Sequence, residues 1–168
     1  ELNPIVERRS GSFRAAKVEL EKGMNYLYSN VPKLSLRALD CFHKAKTKFN
    51  NEESYEGYVL ALINIAQLYS GIGMNLAAKY YAMGAAWVSI HKDDRKLLKR
   101  IADAFGVIFY ADFKQGAWMN AMVSSIDYMN ARDAFKGTPL NPDKEEMPFK
   151  VLADLALIFL LTPKMAPE

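Results

Sequence analysis

From Phe13 onward the apolar residues Phe13, Ala16, Leu20, Met24 and Leu27 fall three and four positions apart, which puts one apolar face on a helix. This predicts a first helix over about 12–30. Residues 1–11 form a polar lead-in broken by Pro4 and Gly11. Proline disfavours helical geometry in the residue before it, so Asn30-Val31-Pro32 ends the helix. Leu36, Leu39, Phe42 and Ala45 give a second helix over 33–49, with Lys44, Lys46 and Lys48 suited to the negative end of its dipole. Asn50, followed by Glu53 three residues on, has the spacing of a capping box for the third helix.

The stretch 58–91 is different. It holds one charged residue, Lys79, and is broken in the middle by Gly71 and Gly73. It reads as two helices, the third ending near Ser70 and the fourth running from Leu76 to His91 with Asn75 as its cap. Both are apolar nearly all round, so both are expected at the centre of a helical stack, with neighbours on each side. A fifth helix starts at Asp93 or Asp94 and runs to Ala111. Asp112 and Gln115 form a second capping-box pattern, for a sixth helix reaching about Phe135. Gly137, Pro139, Pro142 and Pro148 mark 136–148 as a long loop, and 149–161 as an apolar seventh helix. The prediction is all-α, with about seven helices and no strands.

Small and large residues also recur forty positions apart. Ala38, Ala78 and Trp118 align, as do Phe42, Ala82 and Met122, and Ala45, Ala85 and Ser125. In the preceding helices Tyr26, Ala66 and Gly106 align, as do Ser29, Tyr69 and Phe109. A recurrence of this length marks helix pairs that bury their flanks on one another. Three pairs are expected over 12–135, with residues 149–168 as a capping helix or the start of a further pair.

The central unit resembles a tetratricopeptide (TPR) repeat. Leu62, Ile65, Ala66 and Tyr69 match that motif's first helix, Gly73 its turn, and Ala78 and Ala85 the small positions of its second helix. Ala38, Phe42 and Ala45 match the second helix of the preceding unit. The forty-residue period is longer than the usual ~34, and Ala82 stands where the family has an aromatic. The resemblance implies an α-α superhelix of stacked antiparallel pairs whose first helices line a concave groove. Carried over by alignment, the groove positions are Leu60, Ile63, Asn64, Gln67, Arg100, Asp103, Val107 and Tyr110. The implied occupant is a peptide or a partner helix. The competing reading makes Leu60 and Ile63 core residues.

Composition narrows the function by exclusion. A chain of 168 residues, 51% apolar and 24% charged, folds as a globular domain. The net charge of +3 is too small to point to nucleic acid. The basic excess of residues 1–50 lacks the interleaved aromatics of single-strand binders. The lone Cys41 forms no internal disulfide and no glycosylation sequon occurs, so a cytoplasmic location is expected. The absence of an initiator Met reads as a fragment of a larger protein. No run reaches the length of a membrane span.

Cys41 and His43 lie two apart on a helix and point in different directions. No phosphate-binding loop, zinc-protease motif or nucleophile elbow occurs. Neither a metal, a cofactor nor an enzymatic activity is expected. Two functions remain: a scaffolding module that binds a protein or peptide, or a ligand- or peptide-sensing regulatory domain whose interior of Met74, Tyr80, Tyr81 and Met83 repacks easily. For the seventh helix, packing across the open end of the stack, beginning a further unit, and homo-oligomerisation all remain open.

Overall fold

The computed structural model describes residues 3–29, 31–92 and 94–133. Six helices fill them: α1 (Asn3–Tyr28), α2 (Pro32–Asn51), α3 (Tyr55–Gly71), α4 (Asn75–His91), α5 (Arg95–Lys114) and α6 (Trp118–Asp133). The fold is all-α, with no strand among the described residues. The loop and seventh helix expected over 136–161 lie outside them. The lead-in reading is corrected, because α1 already begins at Asn3, with Pro4 in the first turn, where the missing N–H costs nothing.

One turn is used three times. After α2, α3 and α5 the chain leaves the helix through a Schellman motif, in which two N–H groups past the end bond back to orphaned carbonyls. The outer bonds are Ser54 N to Phe49 O, Met74 N to Tyr69 O and Ala117 N to Asp112 O, each 2.9 Å. The residue that reverses the chain has positive φ: Glu53 at 52°, Gly73 at 83° and Gly116 at 73°.

This turn overrides the predicted capping boxes. Asn50 lies in the last turn of α2, and Asp112 lies inside α5. Asn75 is the first residue of α4, with Met74 in the cap position. Asp94 does cap α5, its Oδ1 accepting from the Lys96 N–H at 2.9 Å.

Each helix packs against its neighbours in sequence, and α3 also packs on α5. The core therefore runs along the stack as linked clusters. Phe42, Ala38, Ile65 and Leu68 join α2 to α3. Ala66, Ala78, Ala82, Val107 and Ile108 join α3, α4 and α5. Phe109, Ala121 and Tyr128 join α5 to α6.

In the first helices the forty-residue alignment does not place residues alike, since Ser29 is exposed, Tyr69 half-buried and Phe109 buried, whereas in α2 and α4 it does. Ala38 and Ala78, Phe42 and Ala82, and Ala45 and Ala85 are all fully buried. At α6 it fails, since Trp118 is exposed while Ala121, Ser125 and Tyr128 take the buried positions. The buried positions of α6 instead fall 43 residues after those of α4, with Ala121, Ser125 and Tyr128 following Ala78, Ala82 and Ala85. The second helices start at Pro32, Asn75 and Trp118, an interval of 43 residues each time.

Candidate interaction surface

Helix α4 is built the opposite way round from an ordinary amphipathic helix. Its buried face is made of small residues, Ala78, Ala82, Ala85, Ala86 and Ser89. Small side chains let α3 and α5 come close on that side. Tyr81 and Val88 pack partly buried at its edges, and the other large side chains stand outward: Leu76, Tyr80, Met83, Trp87 and Ile90 are each between 53% and 74% exposed. Their spacing of four, three, four and three is the heptad seam that a second helix packs against. Of the two helices expected to be buried all round, α3 comes nearer, with Gln67 exposed and Leu60 half-buried, while α4 keeps a whole apolar stripe outside. Met74, Tyr80 and Met83, read above as a repackable interior, are on the surface.

A groove lies on each side of this stripe. Between α4 and α6, floored by α5, Met83, Trp87, Ile90, Phe105, Ile108 and Val123 enclose about 460 Å³. Lys46, Tyr58, Leu62, Tyr80, Tyr81 and Gly84 lie along the second, of about 450 Å³, between α2 and α4 over α3. Both fall in the size range of ligand-binding clefts.

Polar chemistry in the first groove is already paired. Lys79 Nζ donates to Asp112 Oδ1 at 2.7 Å, with the Asp112 side chain 3% exposed. The Ser124 hydroxyl donates to Asp112 Oδ2 at 3.4 Å. The pair ties α4 to α5, and Ser124 brings in α6. In the second groove Tyr81 stacks on Tyr69 at 5.6 Å and meets His43 edge-on at 5.5 Å. Burial, and then the two neighbouring tyrosines, push the Tyr81 phenol up. Burial, reinforced by the Lys46 ammonium, holds His43 below its ordinary value despite the opposing pull of Asp40.

The residues assigned to a first-helix groove differ in exposure. Ile63 and Val107 are buried in the core clusters, so for Ile63 the core reading is the right one. Asn64 is also buried, and its side-chain amide donates to Leu60 O at 3.0 Å, one turn back along its own helix. Leu60 is half-buried, and Gln67, Asp103 and Tyr110 are exposed. Arg100 pairs with Asp103 at 3.3 Å.

Cys41 and His43 diverge as their spacing requires. Cys41 is buried near Glu19, and burial, then that carboxylate, push its thiol up; His43 faces Tyr81. Among the described residues no three His, Cys, Asp or Glu side chains converge as metal ligands. No described helix is long and apolar enough to cross a membrane.

No family model, curated protein or solved structure matches the chain. The geometry of α4 therefore carries the functional reading. Sequence reasoning passed over the stripe because it treated an all-apolar helix as buried. The available signal was side-chain size, alanines on one set of helical positions and Trp, Tyr, Met, Leu and Ile on the other.

Proposed function

We propose that this chain is a non-enzymatic protein-interaction module that receives a partner helix on α4 and its flanking grooves. The reading rests on one observation, the heptad-spaced stripe of Leu76, Tyr80, Met83, Trp87 and Ile90 held in water by a backing of alanines. Folding leaves that much apolar side chain exposed at a cost in solubility, and patches of this kind mark interaction sites. The partner's chemistry follows: an amphipathic helix with apolar residues three and four apart, and few charges on the contacting face, since Lys79 is already neutralised by Asp112. The TPR-like resemblance supports a binding module as well, but the binding face proposed is that of the second helices rather than the first.

Selection from a displayed library of helical peptides tests this. Heptad-patterned helices should be enriched. Trp87→Ala or Tyr80→Ala should weaken the selected binders at least tenfold, as central aromatic anchors do, while Gln67→Ala should leave them unchanged. If Gln67→Ala abolishes binding and Trp87→Ala does not, the face is wrong and the first-helix groove is right. A small-molecule sensor is the second reading, favoured by the paired Lys79, Asp112 and Ser124 beside an apolar cleft. A dialysable component that raises the melting temperature would favour it.

A further inference from the structure

We infer that the helix received by α4 is α4 of a second copy, so that the chain forms a two-fold dimer with the two α4 helices antiparallel. The inference rests on the functional reading above and names its partner. Three observations lead to it.

The stripe reads nearly the same in both directions. From Leu76 to Ile90 the order is aliphatic, aromatic, Met83, aromatic, aliphatic, with Met83 seven residues from either end. Under a two-fold axis at Met83, Leu76 comes level with Ile90 of the other copy, Tyr80 falls within one residue of Trp87, and Met83 meets its own counterpart. An isologous contact requires this self-complementarity.

Charge does not oppose it. Lys79 is the one Lys or Arg on α4, which carries no Asp or Glu, and Lys79 is held at 2.7 Å by Asp112. His91 lies against the Trp87 ring, with centroids 3.7 Å apart, and its Nδ1 is 2.9 Å from Trp87 O. No uncompensated like charge is brought together along the seam.

The area suffices. At their observed exposure the five side chains present on the order of 600 Å² per copy. Full burial of the stripe in a two-fold contact removes at most roughly 1,200 Å² of these side chains from water, the lower edge of the range of specific interfaces. The grooves beside the stripe receive the large side chains: Met83 and Trp87 border both of them, so each copy offers a recess next to its own projection.

Sedimentation velocity over a dilution series, with two variants, decides the matter. The unaltered chain is expected to sediment as a dimer that dissociates on dilution. Trp87→Glu is expected to be monomeric with unchanged helical circular dichroism, and Leu36→Glu, on the exposed face of α2, to remain dimeric. In a Cys41→Ala background, oxidised Met83→Cys should cross-link to a covalent dimer, since that position faces itself across the axis, whereas Leu76→Cys should not.

A chain that is monomeric throughout, or a dimer that survives Trp87→Glu, overturns the inference. A monomer that still captures heptad-patterned helices through Trp87 sinks the dimer alone. A monomer that captures none sinks the functional reading too.

Discussion

Two glycines in comparable helical positions have opposite reasons to be there. A Cβ at Gly23 would come within 2.5 Å of the Phe42 ring, which is fully buried and cannot swing away. Gly23 is therefore the recess into which Phe42 packs, and it brings α1 against α2. At Gly84 a Cβ would meet only Leu62, at an ordinary 3.9 Å. Gly23→Ala is expected to lower the unfolding free energy by about 1–3 kcal/mol through overpacking. Gly84→Ala is expected to raise it by roughly 0.5–1 kcal/mol, because a helical glycine gives up more backbone entropy than alanine. Urea unfolding of the two variants checks the sign of each. Gly57, whose added Cβ would run into the buried Phe49 ring, belongs with Gly23.

At the scale of elements, the Lys79–Asp112 pair holds the second hairpin to the third. Its two ends differ in burial, the Asp112 side chain being 3% exposed and that of Lys79 27%. Removing the lysine leaves a carboxylate in the interior with only the Ser124 hydroxyl. Removing the aspartate leaves an ammonium on a flexible stem that can turn to water. Lys79→Met should thus cost about 3 kcal/mol and Asp112→Asn clearly less, while Lys79→Met combined with Asp112→Leu should recover most of the loss. Thermal unfolding of the three variants, read as a double-mutant cycle, measures this.

Neither partner of that pair was legible as such. Asp112 sits three residues before Gln115, in the spacing of a capping box, and only the tertiary position of α4 shows it paired with Lys79. The same holds at Asn50 and Glu53, where a reversal through a non-glycine residue with positive φ left no glycine to betray it. The helices α2 to α5 themselves were legible within a few residues, because Pro32, Gly71, Gly73 and Asp94 punctuate a clear apolar period.

For the molecule as a whole, each helix leans on its neighbours in sequence, and stability is shared along the stack rather than gathered at one centre. The all-α class followed from periodicity. The register of α6 did not, since its buried positions fall 43 rather than forty residues after those of α4. Nor could periodicity say which side of α4 faces inward, because a helix apolar all round has no preferred face. Size decides it: the buried face is Ala78, Ala82, Ala85, Ala86 and Ser89, and Leu76, Tyr80, Met83, Trp87 and Ile90 are left to water and to a partner.

That claim is tested most directly by urea unfolding of α4 variants at a concentration low enough to keep copies apart. Ala82→Leu enlarges a fully buried residue packed near Ala66 and Ile108, and should cost about 1–3 kcal/mol. Trp87→Ala removes the largest side chain of the helix and should cost no more than about 0.5 kcal/mol, as at an ordinary surface position. The opposite order, Trp87→Ala costing several kcal/mol while Ala82→Leu is tolerated, would put the aromatic stripe in the core and leave no binding face on α4.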